Sequence, residues 1–489
     1  MKFLLDTNIV IPVEPTSVDG FEANTETIAT LIKLFQEGGH QYFVHPASVN
    51  ELRRDPDIIR KDARIRLLGK YPTLTISMDI DPRVLTAYKD LENNTHNITD
   101  QILLSALVFD AVDYLVTDDL GIHKKANQLG LSSRVATSEE ALSIIKALFP
   151  KAERERPALN KVFAYELDER DPIFQSFRTD YPEFDSWLRK CKREHRTVWT
   201  ITSVNKRLRG ICIVKNEKNC DYDIDFPTLK ICSFKVDESS RGLRYGELLL
   251  KGIFDYVDGK PIKSIYIETF DKQAALINLF SNFGFQILKD TSRKGELVLH
   301  KSLIFSDDIL KNIDPLEFNI KYGPHQAKCD GVGIFIIPII PKYHRMLFPE
   351  FEEQIEIFSG QYSFGNGIRK AYLCRANIRT MQLGDIAVFY RSQDTQGITA
   401  YGVVEDLTIS QAPDVIARAV GKRTVYTFDE IQELCSSEVL AISFRLCSIF
   451  DKPIEREELI SNRVLKAPPQ SIVSVREEGL EWIKQALAK

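Results

Sequence analysis

Two short apolar runs, each closed by acids, constrain this chain more than any other feature. Phe3-Leu4-Leu5 runs into Asp6-Thr7-Asn8, and Tyr114-Leu115-Val116 runs into Thr117-Asp118-Asp119. Neither run alternates polar with apolar residues. Each therefore reads as a strand buried on both faces, the pattern of a parallel sheet covered by helices. A further strand at 41–45, another at 133–136 and helical periodicity between them complete an α/β order. In open parallel sheets, ligands gather outside the carboxyl ends of the strands. Two acid-ended strands thus aim carboxylates at one place.

At 489 residues the chain exceeds one core and is expected to form two to four domains. Its 64 basic and 69 acidic residues leave a net charge of −5. That balance excludes sequence-blind attraction of the whole surface to nucleic acid and leaves room for a local basic groove. The eight cysteines include no C-x-x-C pair, so reduced core thiols are expected rather than zinc or disulfides. No leader pattern precedes the first strand, and the apolar run 334–341 is far too short to span a bilayer. A cytoplasmic protein with no membrane partner is expected.

Asp100 is the most informative acid. Asn97 or Thr99 can cap a helix over about 98–110 whose apolar stripe is Leu103, Leu104 and Leu107. Asp100 then lies on that stripe, in the first turn. A helix N-terminus favours a carboxylate by about 0.3–1 kcal/mol, whereas desolvating an ion costs on the order of several kcal/mol. A cation would compensate the difference; an Asp serving the helix dipole is the plainer alternative. Glu51, on a short helix after the strand Tyr42-Phe43-Val44, reads alone as a solvated charge. Asp118-Asp119 reads alone as a turn and helix cap. Together these acids would repel unless a metal neutralised them. Mg²⁺ and Mn²⁺ take oxygen ligands and can activate water against a phosphodiester, with Thr7 and Asn8 supporting the ligands.

The segments Leu4-Leu5-Asp6-Thr7-Asn8, Ser48-Val49-Asn50-Glu51-Leu52, Thr99-Asp100-Gln101-Ile102-Leu103 and Val116-Thr117-Asp118-Asp119 resemble the acidic motifs of PIN-domain ribonucleases over residues 1–150. The resemblance implies a PIN-like parallel α/β domain in which Asp6, Glu51, Asp100 and one of Asp118 and Asp119 hold Mg²⁺ or Mn²⁺. It implies endoribonuclease activity leaving a 5′-phosphate and a 3′-hydroxyl. Its partners would be RNA, tRNA or another structured RNA included, and an antitoxin protein if the chain is a toxin.

After a charged connector, Lys151 to Pro157, strands near 162–167, 197–203, 209–215 and 229–237 precede a loop and helix, then a strand at 263–269, a helix at 272–282 and a strand at 296–300. This order indicates α+β. The loop runs through Arg241-Gly242-Leu243-Arg244-Tyr245-Gly246 into a helix from Glu247. Such a helix start can bind a pyrophosphate, and an ordinary turn is the alternative. The loop resembles the acyl-CoA loop of GNAT acetyltransferases, and Leu279-Phe280-Ser281-Asn282-Phe283-Gly284-Phe285 resembles their later helix-plus-Gly-Phe motif. Asp185-Ser186-Trp187-Leu188 resembles the early helix of a branch that includes tRNA-modifying toxins. The resemblance implies a GNAT-like domain over 155–302 that binds acetyl-CoA through residues 241–246. Arg244 replaces the family's central glycine and is expected to touch a phosphate. Phe280 stands where a general-acid tyrosine is usual, leaving Tyr245, Tyr266 and Cys232 as candidate donors.

Beyond a linker to about 326, strands are expected at 333–338, 370–375, 386–390, 398–404 and 439–444, with a last helix at 476–487. Leu383-Gly384-Asp385-Ile386-Ala387-Val388-Phe389-Tyr390 followed by Gly402-Val403-Val404-Glu405 resembles the PUA-like barrels, ASCH and EVE among them. That implies a PUA-like β-barrel over 325–489 that recognises nucleic acid. Tyr390, Arg391 and Tyr401 are either base-stacking platforms or core residues. The expected whole is a metal-dependent endoribonuclease with accessory GNAT-like and PUA-like domains. The rival is an acetyl-CoA-dependent N-acetyltransferase of tRNA or protein whose first domain grips RNA. A non-catalytic RNA-binding scaffold is the third class.

Overall fold

A computed structural model describes residues 1–13, 24–54, 56–75, 79–89, 95–149, 158–202, 207–237, 240, 243–292, 294–351, 367–375 and 377–487. The connector Lys151 to Pro157 lies outside them. The chain divides into two compact units, residues 1–150 with 412–422, and residues 151–411 with 423–489.

The first unit is built on four parallel strands, β1 (Lys2–Leu5), β2 (Gln41–Phe43), β3 (Tyr114–Val116) and β4 (Val135–Ala136), in the order β2-β1-β3-β4. Phe3, Leu4, Leu5 and all of β3 are fully buried, as runs without alternation require. On one face Leu4 and Leu115 pack with Leu103, Leu104 and Leu107 of the helix Thr95–Val108. On the other, Phe3 stacks between Phe35 at 4.3 Å and Tyr114 at 5.5 Å. That helix begins at Thr95 rather than near 98. Asp100 therefore sits in its second turn, where the helix end gives it less support than expected.

The second unit holds two sheets. The first has seven strands: β5 (Ala158–Phe163), β6 (Thr197–Thr202), β7 (Leu208–Glu217), β8 (Thr228–Val236), β9 (Ser264–Thr269), β10 (Gln286–Thr291) and β11 (Leu297–Ser302), ordered β10-β11-β9-β8-β7-β6-β5. Its one parallel pair is β8 with β9. The helix Tyr245–Val257 crosses between those two strands and begins two residues before the expected Glu247. Gly252 lets it lie on Trp199, whose Cδ1 would stand 2.8 Å from an added Cβ.

The last sheet comprises β12 (Ile334–Ile339), β13 (Arg369–Cys374), β14 (Ile386–Arg391), β15 (Gly397–Ser410), β16 (Val439–Glu455) and β17 (Val473–Ser474), ordered β13-β16-β15-β14-β12-β17. Among the described residues the sheet is open, without the closure a barrel requires. Closure needs the end strands to pair. Here β17 is two residues long, and beyond its ladder with β16, β13 makes one isolated bridge, Ala371 to Thr424. Among the described residues no helix is long and apolar enough to cross a membrane, and all eight cysteines are free.

Candidate active site

The ends of β1 and β3 are stitched together by side chains that the sequence places immediately after the apolar runs. Thr117 is the hub. Its hydroxyl donates to Asp6 Oδ2 at 2.7 Å and accepts from Asn8 Nδ2 at 3.0 Å and from the Asp119 N–H at 3.1 Å. Asp6 Oδ1 accepts the Thr7 N–H at 2.6 Å, capping a short helix. These bonds hold Asp6 in one orientation at the carboxyl edge of the sheet, buried to 7% exposure.

The two adjacent acids part company. Asp118 turns away: Oδ1 accepts the Ser138 N–H at 2.8 Å, while Oδ2 accepts the Ser138 hydroxyl at 2.9 Å and Asn24 Nδ2 at 2.8 Å. Both its oxygens are committed to structure. Asp119 is exposed and uses Oδ1 to cap the helix Leu120–Gln128 through the Gly121 and Ile122 N–H groups. Its charge also reaches Asp6 and Asp100.

Burial lifts the Asp6 carboxyl to about 6 against the pull of Thr117 and Thr7, and the Asp119 charge adds to the rise. Burial lifts Asp100 to about 7, and the charges of Asp6, Asp119 and Glu51 push it further. The structure thus brings Asp100 within electrostatic reach of Asp6, Asp119 and Glu51, and Asp6 within reach of Asp119, with Asp118 set apart by its bonds. Among the described residues, no three acid, histidine or cysteine side chains are close enough to hold a metal ion between them. Thr117 was legible as part of a Thr-x-Asp run. Tyr88, whose ionisation Asp100 and Asp119 also oppose, carried no sequence signal.

In the second unit, the β8–β9 ladder stops at Ile231 and Ile267, although β8 continues to Val236 and β9 to Thr269. Beyond that pair the two parallel strands no longer hydrogen-bond to each other. Glu268, one residue past the last pair, accepts from the Tyr222 hydroxyl and Lys230 Nζ, each at 2.7 Å. Sequence reading missed Glu268, because nothing in its run Tyr266-Ile267-Glu268 distinguishes it from an edge charge.

Of the expected acyl-CoA loop, Arg241 and Gly242 lie outside the described residues. Arg244 does not offer its charge to a ligand. It is buried at a left-handed φ of 56°, its Nε donates to Glu247 Oε1 at 3.0 Å, and one Nη donates to Glu247 Oε2 and to the Arg369 carbonyl at 2.6 Å. Glu247 in turn accepts the Ile368 N–H at 3.1 Å. A Cβ on Gly367 would collide with the guanidinium, so a larger residue there would have to displace Arg244. Arg244 therefore joins its helix start to β13, which corrects the expected phosphate contact. Gly246 serves packing, since an added Cβ would meet Leu279 Cδ2 at 2.8 Å. Leu243 is half-buried and Tyr245 buried. Phe280 is fully buried between Phe234 and Phe285. Tyr266 is buried with its hydroxyl on Glu217, and burial pushes the Cys232 thiol up to about 12.

Tyr390, Arg391 and Tyr401 are core residues rather than stacking platforms, at 1%, 4% and 5% exposure. Arg391 pairs with Asp394, and Tyr401 stacks on Phe450. Nearby, Glu405 gathers Arg369 at 2.9 Å, Arg445 at 3.2 Å and Arg423 at 3.3 Å, which hold its carboxyl far below the usual range against the cost of burial. Arg445 also reaches Asn319 Oδ1 at 2.9 Å and the Asn282 carbonyl at 3.1 Å.

Residues 162–285 match the model of the Acetyltransferase (GNAT) family. No curated protein matches the chain in sequence. Similar solved structures include ASCH from Zymomonas mobilis, at 16% identity over 31% of this chain and 94% of that one, TM-score 0.24. A GNAT-family acetyltransferase from Staphylococcus aureus Mu50 shares 16% identity over 30% of this chain and all of its own, TM-score 0.24. The N-acetyltransferase PseH of Campylobacter jejuni, solved with acetyl coenzyme A, shares 15% over 30% and 100%, TM-score 0.23. Within this multidomain chain, residues 162–285 are a GNAT acetyltransferase domain.

Proposed function

We propose that the second unit is an acyl-CoA-dependent N-acetyltransferase acting on an amine of tRNA or protein. The observation that carries this reading is the GNAT match over a segment whose β8 and β9 cease to pair past Ile231 and Ile267. Acetyl-CoA would supply the activated acyl group. Backbone groups of β8 beyond Ile231, unmatched by β9, suit the extended arm of such a carrier, and the helix start at Tyr245 suits its phosphates. The Arg244 side chain does not fit a phosphate role. In this reading Glu268 would take the proton an attacking amine must lose only on release from Tyr222 and Lys230, which now hold its two oxygens. Calorimetry on the full chain tests this: saturable acetyl-CoA binding is expected, and no heat at millimolar ligand removes the reading.

A second reading of the first unit is divalent-metal-dependent cleavage of RNA, and what favours it is that burial raises both Asp6 and Asp100, the Asp119 charge adding to each. Carboxyls raised by burial at a sheet's ligand edge suit a hard dication. Mg²⁺ keeps several of its waters, so the ion in this reading, Mg²⁺ or Mn²⁺, would be held partly through water. Asp6, Glu51, Asp100 and Asp119 would hold it, with Thr117 fixing Asp6. The bound ion would supply an activated water. An antitoxin-type protein partner belongs to this reading. An Asp6→Asn chain that still cleaves single-stranded RNA in Mn²⁺ would sink it.

A further inference from the structure

β5 ends the seven-stranded sheet and pairs with β6 alone. An edge of that kind is ordinarily blunted by charge, yet this one carries rings. Phe163, its last residue, is 44% exposed, and Tyr165, just beyond it, is 51% exposed. Their rings lie nearly parallel, 14° apart in plane with centroids 5.6 Å apart. The exposed His195 ring stands edge-on to Tyr165 at 5.2 Å.

Cations continue the row. Lys161 lies two residues before Phe163 in β5, so the two share a face of the strand, about 7 Å apart. Its ammonium is 4.8 Å from the centroid of the half-buried Tyr256 ring, and Lys260 Nζ is 3.0 Å from the same centroid. One phenol thus draws two exposed ammonium groups to one place. Among the described residues neither pairs with a carboxylate. The acids nearest in the chain to the rings are engaged: Glu166 Oε1 accepts the Phe163 N–H at 2.7 Å, and Glu194 pairs with Arg196 at 2.7 Å.

Two ammonium groups held together without an acid suit a phosphate, and exposed parallel rings suit bases, the combination that grips single strands. An added protein strand is the other occupant that a sheet edge can take. It would need the Phe163 N–H, which Glu166 has already taken. We infer that the β5 edge is a docking surface for an unpaired stretch of RNA, phosphates lying at Lys161 and Lys260 and bases stacking on the Phe163–Tyr165 pair. The inference rests on the acetyltransferase reading above and narrows its acceptor from tRNA or protein to RNA.

The test is fluorescence anisotropy on the full chain in chelator, with a labelled uridine oligomer of about ten nucleotides, a length within single-strand site sizes. Tyr165→Ala is expected to weaken binding about fivefold to a hundredfold, the worth of one stacked base. Tyr165→Phe keeps the ring and is expected to bind like the wild type. Lys161→Gln with Lys260→Gln is expected to flatten the dependence of log affinity on log salt by about 0.7 per lysine. A Tyr165→Ala chain that binds RNA as the wild type does overturns the inference, as does wild-type protein that binds no RNA. So does a wild-type dimer, seen by sedimentation, that Tyr165→Ala splits without changing RNA affinity, since the edge then serves a second copy. Should Tyr165→Ala not accumulate folded, an unchanged salt slope in the lysine pair is equally fatal. Acetyl-CoA titrated calorimetrically into the same samples separates the two readings. Acetyl-CoA bound with RNA indifferent to Tyr165→Ala overturns this inference alone, whereas no acetyl-CoA binding removes the acetyltransferase reading and, with it, RNA as the acceptor.

Discussion

The acid edge of the first unit and the Arg244–Glu247–Glu405 network of the second are both dense in charge, yet they balance it oppositely. Around Glu405 each buried charge has a partner of opposite sign: three guanidinium groups converge on one carboxylate, and Arg244 pairs with Glu247. At the acid edge like charges face one another, and two carboxyls rise to about 6 and about 7. Buried charge that is internally matched serves the fold. Buried charge left mismatched marks where a ligand is to come. By that criterion Arg244 has been turned to structure, as has Asp118, while Asp6 and Asp100 have no opposite charge among the causes of their shifts.

The largest effect should come from Asp100→Asn. If the acids hold the catalytic ion, metal-dependent RNA cleavage falls by about a thousandfold, several kcal/mol of transition-state stabilisation. In chelator at pH 7.5 the same substitution should stabilise the chain by on the order of 2 kcal/mol, since it removes a repelled buried charge. Cleavage assays and urea titration read the two separately. Loss of both activity and stability would place Asp100 in the same class as Glu405 and erase the contrast.

Glu405→Gln should do the opposite. Removing one partner of a buried ionic network strands the others, at about 3–5 kcal/mol, with Arg369, Arg423 and Arg445 left facing one another. A urea midpoint within error of the wild type would show that the network is weaker than its geometry.

How much of this was legible follows from what a linear pattern can encode. Local chemistry was: the unalternating runs at Leu4 and Leu115, the Thr-x-Asp spacing and the leucine stripe below Asp100 all depend on neighbours within a turn or a strand. Asp118 against Asp119 was not, because the choice is made by Ser138 and Asn24, far along the chain. Arg244 was misread for the same reason: its partners include the Arg369 carbonyl, in a strand 125 residues away. Closure of the expected barrel was not legible, because it depends on which end strands meet, and period-two patterning says nothing of that.

The pH dependence of the two units should diverge as their charge balance does. Asp6 and Asp100 have folded pKa values raised above the usual 3.8, so the native state takes up protons more readily than the unfolded chain. Their contribution is fully present below about pH 4 and is lost as pH rises through about 6 and then 7, on the order of 2 kcal/mol or more in all. Glu405 is lowered, so its contribution is present above the ordinary glutamate range and is lost only in strong acid. Hydrogen exchange followed by mass spectrometry at pH 4.5 and 7.5 in chelator, corrected for intrinsic rates, should show the acid edge less protected at the higher pH and the strands around Glu405 unchanged. Saturating Mn²⁺ should abolish the difference at the acid edge.

The smallest effect is the sharpest test of the contrast. If Arg244 is structural, acetyl-CoA should not notice its charge. Removing Arg244 alone would strand Glu247 and confuse affinity with folding, so the informative chain is Arg244→Gln with Glu247→Gln, which removes both members of a pair at little net cost. Glutamine at both positions keeps donors and acceptors for the Arg369 carbonyl and the Ile368 N–H. The acetyl-CoA dissociation constant should then stay within about twofold of the wild type, well under the 1.4 kcal/mol that a tenfold change represents. A charge-assisted phosphate contact is worth roughly 1.5–3 kcal/mol, so if the guanidinium leaves Glu247 for the carrier, the double variant must lose about tenfold or more. A loss of that size would return Arg244 to the ligand and place both units among those that keep charge in reserve.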